Sequence, residues 1–215
     1  MMKAPYRMLV MLLCACVFTF AQSVHQVPFA SANNTIALSI HNAASISVPS
    51  VKVEAANVPV WIRFTSTEQT ITQLKGKEDA TAAFSLSIDK TAPANKPQTI
   101  TFKITSSTGE VWTKEISIAV DPPDHFELYQ NYPNPFNPAT TISYQLPRDA
   151  HVTLKIFNSI GEAVSTLVDD DRSAGYHQEI WNAFEMASGM YIYQLAYTNE
   201  HGKKEFYRKK LILLK

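Results

Sequence analysis

Two cysteines are the whole complement of this 215-residue chain, and both, Cys14 and Cys16, fall within its first twenty-one residues. Beyond that segment, disulfides, thiolate metal sites and cysteine nucleophiles are excluded. Excess charge is missing too: 19 Lys+Arg offset 19 Asp+Glu, which removes the basic footprint that nucleic-acid binding needs. Glycine is scarce, with six widely separated residues. The chain therefore has no phosphate-cradling loop, no dinucleotide fingerprint and no Gly-x-Ser-x-Gly elbow. The histidines (His25, His41, His125, His151, His177 and His201) stand singly, with no pair four residues apart, so spacing supports no zinc site. These absences point to a non-catalytic protein without metal or cofactor. At 46% hydrophobic and 18% charged, the composition is that of a folded chain rather than a disordered one.

The chain opens with the pattern of an export leader. Lys3 and Arg7 form a short positive region, residues 8–20 a predominantly apolar run of 13, and Ala21 a small residue before polar Gln22 and Ser23. That order predicts a cleaved signal peptide over residues 1–21. The run is shorter than the roughly 20 residues a helix needs to cross a bilayer, and no later stretch comes closer, so the mature chain is expected to carry no transmembrane segment. Leu13-Cys14-Ala15-Cys16 also loosely resembles a lipobox, although Cys14 stands where a small residue is expected. Cleavage after Ala21 leaves 194 residues with a net charge of −2.

From there the apolar residues recur every second position, and no window holds a helical stripe. Strands are expected near Ile36/Leu38/Ile40, Val51/Val53, Val60/Ile62/Phe64, Ile71 with Leu74, Phe84/Leu86/Ile88, Ile100/Phe102/Ile104 and Trp112/Ile116/Ile118/Val120. Short strands broken by turn-forming pieces predict an immunoglobulin-like (Ig-like) sandwich over residues 22–121. Asp121-Pro122-Pro123-Asp124 interrupts the pattern, because prolines stop ladder pairing and stiffen the backbone, and residues 122–124 read as a linker. A second sandwich is expected over residues 125–215. Its strands fall near residues 126–129, 141–146, 152–157, 164–168, 176–181, 191–197 and 206–214, with turns at its glycines. The fold class is thus all-β, two Ig-like sandwiches in tandem after the leader.

The second half carries landmarks in a fixed order. Gln130-Asn131-Tyr132-Pro133-Asn134-Pro135-Phe136-Asn137-Pro138 comes first, then Thr141-Ile142-Ser143-Tyr144 and Leu146-Pro147. Val152, Leu154 and Ile156 precede Gly161; Ala174-Gly175, Trp181, Ser188-Gly189-Met190-Tyr191 and the terminal Lys210-Leu211-Ile212-Leu213-Leu214-Lys215 follow. Over residues 126–215 this series resembles the type A C-terminal sorting domain of type IX secretion cargo. The resemblance implies recognition by an outer-membrane secretion translocon and delivery to the cell surface or exterior of a diderm bacterium. It also implies recognition of a folded β surface. The contact residues expected are Pro133, Asn134 and Pro135 in the loop, Ser188, Gly189 and Tyr191 at a turn, Gly161 and Gly175 at two others, and Lys210 with Leu211 in the last strand. The strand pattern also overlaps the Ig-like domain of flagellar hook-capping proteins, but the leader and the terminal position favour sorting.

Several features of the residues point either way. Lys203, Lys204, Arg208, Lys209, Lys210 and Lys215 surround the last strand, where lysines keep an exposed edge from pairing with other chains or dock on an acidic surface. Glu179 stands where an apolar residue would alternate with Trp181, and a bulge near residues 176–181 would repair that register. Asp169-Asp170-Asp171 lacks the spacing of a calcium loop and reads as a solvated hairpin tip. In the first module, Trp112 shares the parity of Ile116 and Ile118 and reads as core. Trp61 shares the parity of Arg63 and is the candidate exposed ring for a surface glycan. The first module therefore reads as a binding or spacer unit for a glycan or cell-surface protein; a cryptic hydrolase using Glu54, Glu78 or Asp79 is the remaining alternative.

Overall fold

Strands make up the architecture, and among the described residues there is no helix. The computed structural model describes the backbone of residues 7–10 and, in full, residues 24–199 and 202–215. Most of the predicted leader, including Cys14 and Cys16, lies outside the described residues, as does His201. The chain divides into two compact units, residues 1–121 and 122–215.

The first unit contains β1 (Arg7–Val10), β2 (Val24–Val27), β3 (Asn34–His41), β4 (Val48–Ala56), β5 (Ile62–Phe64), β6 (Glu68–Leu74), β7 (Asp79–Ile88), β8 (Gln98–Ser106) and β9 (Val111–Val120). They form one sheet ordered β1-β3-β7-β5 and another ordered β2-β9-β8-β4-β6. Every second residue points inward, so Leu38, Phe84 and Leu86 of one sheet meet Val53, Ile100, Phe102, Ile104 and Ile118 of the other in a single core. Phe64, Phe84 and Phe102 pack as a trio with centroids 5.0 to 6.2 Å apart. Each such ring withdrawn from water contributes on the order of 1.5–3 kcal/mol.

Trp61 departs from the sequence expectation. It is only 5% exposed, and neighbouring Ile62 is buried with it. Parity fails here because β5 starts at Ile62. Trp61 sits in the preceding turn, where Ile62 N–H donates to the Pro59 carbonyl and Asp89 N–H to that of Trp61. The turn sends Val60 outward, 96% exposed, in its place.

The second unit contains β10 (Glu127–Leu128), β11 (Ala139–Leu146), β12 (Ala150–Phe157), β13 (Ala163–Arg172), β14 (Gly175–Asn182), β15 (Gly189–Thr198) and β16 (Lys204–Leu213). Sheets ordered β10-β11-β14 and β13-β12-β15-β16 enclose a core of Ile142, Tyr144, Leu146, Leu154, Ile156, Tyr193, Leu195 and Leu211, among others. Both units are Ig-like β-sandwiches.

Two local expectations change in the second unit. No bulge interrupts β14, which pairs residue for residue with β11 from Ala139↔Asn182 to Leu146↔Gly175. The register is kept by exposing Ile180 and by pairing the Glu179 carboxylate with the Arg172 guanidinium at 3.0 Å. Nor do Asp169, Asp170 and Asp171 form a hairpin tip; they lie inside β13. The turn comes earlier, at residues 158–162, where Gly161 adopts a φ of +86°. The strand tolerates the carboxylates because β12 sets polar partners opposite them: His151 Nδ1 lies 3.0 Å from Asp171, its Nε2 3.2 Å from Asp169, and the Thr153 hydroxyl donates to Asp169 at 3.0 Å.

Those contacts, with Asp171 foremost, raise the His151 pKa above its ordinary 6.5. The folded chain thus favours the imidazolium, and the stability this adds is complete below the unfolded value and lost as pH rises through the folded one. A proton-NMR titration should place the His151 midpoint above 6.5, and Asp171→Asn should lower it.

Candidate functional site: a strapped strand edge

The motif at residues 130–138 places prolines where no ladder can form, so this segment leaves β10 as a loop and crosses the outer edge of β16. Edge strands present unpaired backbone groups, and the loop supplies partners for them. The Gln130 amide donates to the Lys210 carbonyl at 2.8 Å, and Ile212 N–H donates to Asn134 Oδ1 at 2.9 Å. Phe136 N–H donates to the Ile212 carbonyl and Leu214 N–H to the Phe136 carbonyl, each at 3.0 Å. The result is a strap that makes a short parallel bridge, Phe136↔Leu213, on the end of the last strand.

Buried polar groups hold the strap in shape. Asn131 is inaccessible; its amide donates to the Pro133 carbonyl at 3.0 Å and to Thr140 Oγ1 at 2.9 Å, and Gln130 donates to its Oδ1. Tyr193, buried in β15, donates its hydroxyl to the Tyr129 carbonyl at 2.7 Å and accepts from Asn131 N–H at 3.1 Å. Burial pushes the Tyr193 pKa up to about 12, so it stays a neutral phenol there. Phe136 anchors the other end, with its ring 5.5 Å from Trp181, which packs edge-on to Tyr191 at 5.3 Å.

The chain terminus closes the site from the opposite side. Lys215 N–H donates to Ser188 Oγ at 3.0 Å, and the Lys215 ammonium donates to the Phe184 carbonyl at 2.6 Å. Tyr191 donates its hydroxyl to the Ala187 carbonyl at 2.8 Å, bracing the turn that holds Ser188 and Gly189. The structure thus brings together Pro133, Asn134, Pro135, Ser188, Gly189, Tyr191, Lys210 and Leu211. Gly161 shares this end of its sheet, because Phe157, just before its turn, pairs with Ile192 of β15. Gly175 does not join them: it pairs with Leu146, at the far end of β14 from Trp181.

Around the strap the surface is apolar and basic. Tyr132 is 81% and Phe184 71% exposed, and Met190, Ile212 and Leu214 are also open to solvent. Lys210 is exposed and, among the described residues, makes no ion pair. The residues that sequence reasoning did not place at the site are Thr140 and Tyr193, with Gln130 and Asn131, which it read only as part of the motif. Gln130 and Asn131 carried a signal as polar side chains inside the proline motif; Thr140, in β11, and Tyr193, in β15, carried none.

Tyrosine hydroxyls in this unit differ sharply in partnership. Tyr144 is fully buried, and its hydroxyl has no hydrogen-bond partner. Tyr144→Phe is expected to be neutral or to stabilise by up to about 1 kcal/mol, whereas Tyr193→Phe orphans two strap groups and should cost about 1–3 kcal/mol. Urea denaturation of the two variants checks this.

The other candidate residues are not gathered into a site. The Glu54 carboxylate lies 3.5 Å from Lys52 on β4, the Glu78 carboxylate accepts from Lys75 N–H at 3.0 Å, and Asp79, in the other sheet, lies 2.8 Å from His41. Among the described residues no group of three His, Cys, Asp or Glu side chains could hold a metal ion, and no helix is long and apolar enough to cross a membrane.

No curated protein matches this chain. Among solved structures it is similar to the CupB2 chaperone of Pseudomonas aeruginosa, at 10% identity and a TM-score of 0.30, covering 86% of this chain and 96% of that one. It is also similar to dimeric latent PorU from Porphyromonas gingivalis, at 13% and 0.36, covering 91% of this chain and 19% of that one. The E. coli chaperone DraB aligns at 10% and 0.32, covering 89% and 94%. Likenesses this distant carry no argument. Residues 130–213, which take in the strap and the last strand, match the secretion system C-terminal sorting domain.

Proposed function

We propose that the chain is an exported, non-catalytic protein whose second unit is read by an outer-membrane translocon and whose first unit is a binding or spacing cargo. Export places it at the cell surface or outside the cell. One observation carries this reading: the strap, the Ser188-Gly189 turn and the end of β16 converge on one surface, within the residues that match the sorting family. A translocon that reads folded cargo needs such a surface, rigid before it docks, since ordering a loop on binding costs affinity. Exposed Tyr132 and Phe184 supply apolar contact area, and Lys210 and Lys215 supply steering charge. The glycan reading of the first unit loses its platform, because Trp61 is buried.

Residues 122–215 placed after an unrelated exported protein should carry it across the outer membrane of a type IX-competent cell. Surface proteolysis and fractionation read the outcome; a fusion held in the periplasm overturns the proposal.

A further inference from the structure

The first unit has a cleft of about 210 Å³ at one end of its sandwich. Its floor and one wall are apolar, built from Ile40, Val51, Leu74 and Ile104, with Trp112 beside them. Trp112 is therefore not wholly in the core: it is half-buried, packs against the core and lines the cleft. Ile46 forms the facing lip and is 74% exposed.

The lip is fixed. The buried Asn42 amide donates to the carbonyls of Ile46, Leu74 and Lys75 at 2.9, 3.2 and 3.0 Å. Lys77 N–H donates to the carbonyls of Asn42 and Ala44, and its ammonium donates to that of Ala43. Gly76 passes so close that an added Cβ would lie 2.3 Å from the Ser45 carbonyl oxygen. The lip therefore has little freedom to fold down and fill the space.

The rim carries one charge. Glu110 Oε2 accepts from the hydroxyls of Ser106 at 3.0 Å and Thr108 at 2.9 Å. These bonds hold the carboxylate at the mouth, where, among the described residues, it has no ion-pair partner. His41, the other titratable side chain lining the cleft, is turned to Asp79 at 2.8 Å.

We propose that this cleft is a binding site for a small organic cation: one aromatic ring on a short chain ending in a protonated amine. Size admits the ring, since a cavity of about 150 Å³ holds benzene, and 210 Å³ leaves room for a tail of a few carbons. Ile46 and Trp112 cover its faces, and Glu110 pairs with the ammonium. This rests on reading the first unit as a binding cargo; the export fusion tests the other unit and moves independently.

The test is an NMR titration of the mature full-length chain with phenethylamine and with 3-phenylpropionate, its counterpart of opposite charge. Phenethylamine should shift Trp112, Ile40, Ile46 and Ile104 saturably and bind about fivefold tighter than the anion, as expected for one rim ion pair. Glu110→Gln, or raised salt on the unaltered chain, should bring the two ligands within about twofold. No saturable shift at those residues, or equal binding of the two ligands by the unaltered chain, would overturn the proposal.

Discussion

Phe136→Ala is expected to destabilise the second unit by about 3–5 kcal/mol, the range for removing a buried phenyl ring that its surroundings cannot replace. Phe136 is buried against Trp181, and its backbone bridges Ile212 and Leu214. Its loss opens a cavity beside the indole and frees the strap end that seals β16. A small domain holds only about 5–15 kcal/mol in total, so the variant should populate an opened strap at physiological temperature. Thermal unfolding should show the loss in the second unit's transition, with that of the first unit unchanged. Phe136→Leu keeps most of the apolar volume and should recover more than half of the stability. Export should follow stability across the pair, because the surface to be recognised exists only while the strap is seated.

Much of the fold was legible because strands that bury one face write their register into the chain. The sequence placed Ile36, Leu38 and Ile40 on one face, and β3 turns them toward the core; the same holds for Ile100, Phe102 and Ile104 of β8. Parity misled where a residue lay outside a ladder. Counting from Arg63 gives Trp61 an outward face, but the turn before β5 breaks the count. Trp112 obeys alternation, yet it sits where β9 runs past the cleft, so facing inward leaves it only half covered. The aspartate run looked like a tip because like charges crowd in a strand, and the relief comes from His151 and Thr153, nearly twenty residues away. Glu179 is a similar case, since Arg172, not a bulge, accommodates it.

The site was legible as a set of segments, not as a surface. Nothing in the spacing of Asn134, Phe136 and Ser188 says that all three bond residues 212–215, because the contacts depend on which edge of the sheet β16 occupies and on where the strap crosses it. The buried Asn131–Tyr193 bond was likewise hidden, 62 residues apart in the chain.

If a folded surface, rather than a linear tail, is the address, export must fall when that surface changes and the fold does not. A paired variant, Tyr132→Ser with Lys210→Glu, removes an exposed ring and reverses an exposed charge. The residues keep their backbone bonds to Thr141 and Gln130. Neither change touches the core, so the second unit's stability should move by no more than about 0.5 kcal/mol each. Contacts of this kind are worth about 1–2 kcal/mol at the centre of an interface. Quantified by cell fractionation in a type IX-competent host, the surface and secreted fraction of the variant should fall about tenfold or more, with the folded protein retained in the periplasm. Val60→Ser, at an exposed position in the first unit, should leave export unchanged. Normal export of the folded paired variant would contradict recognition of this folded surface.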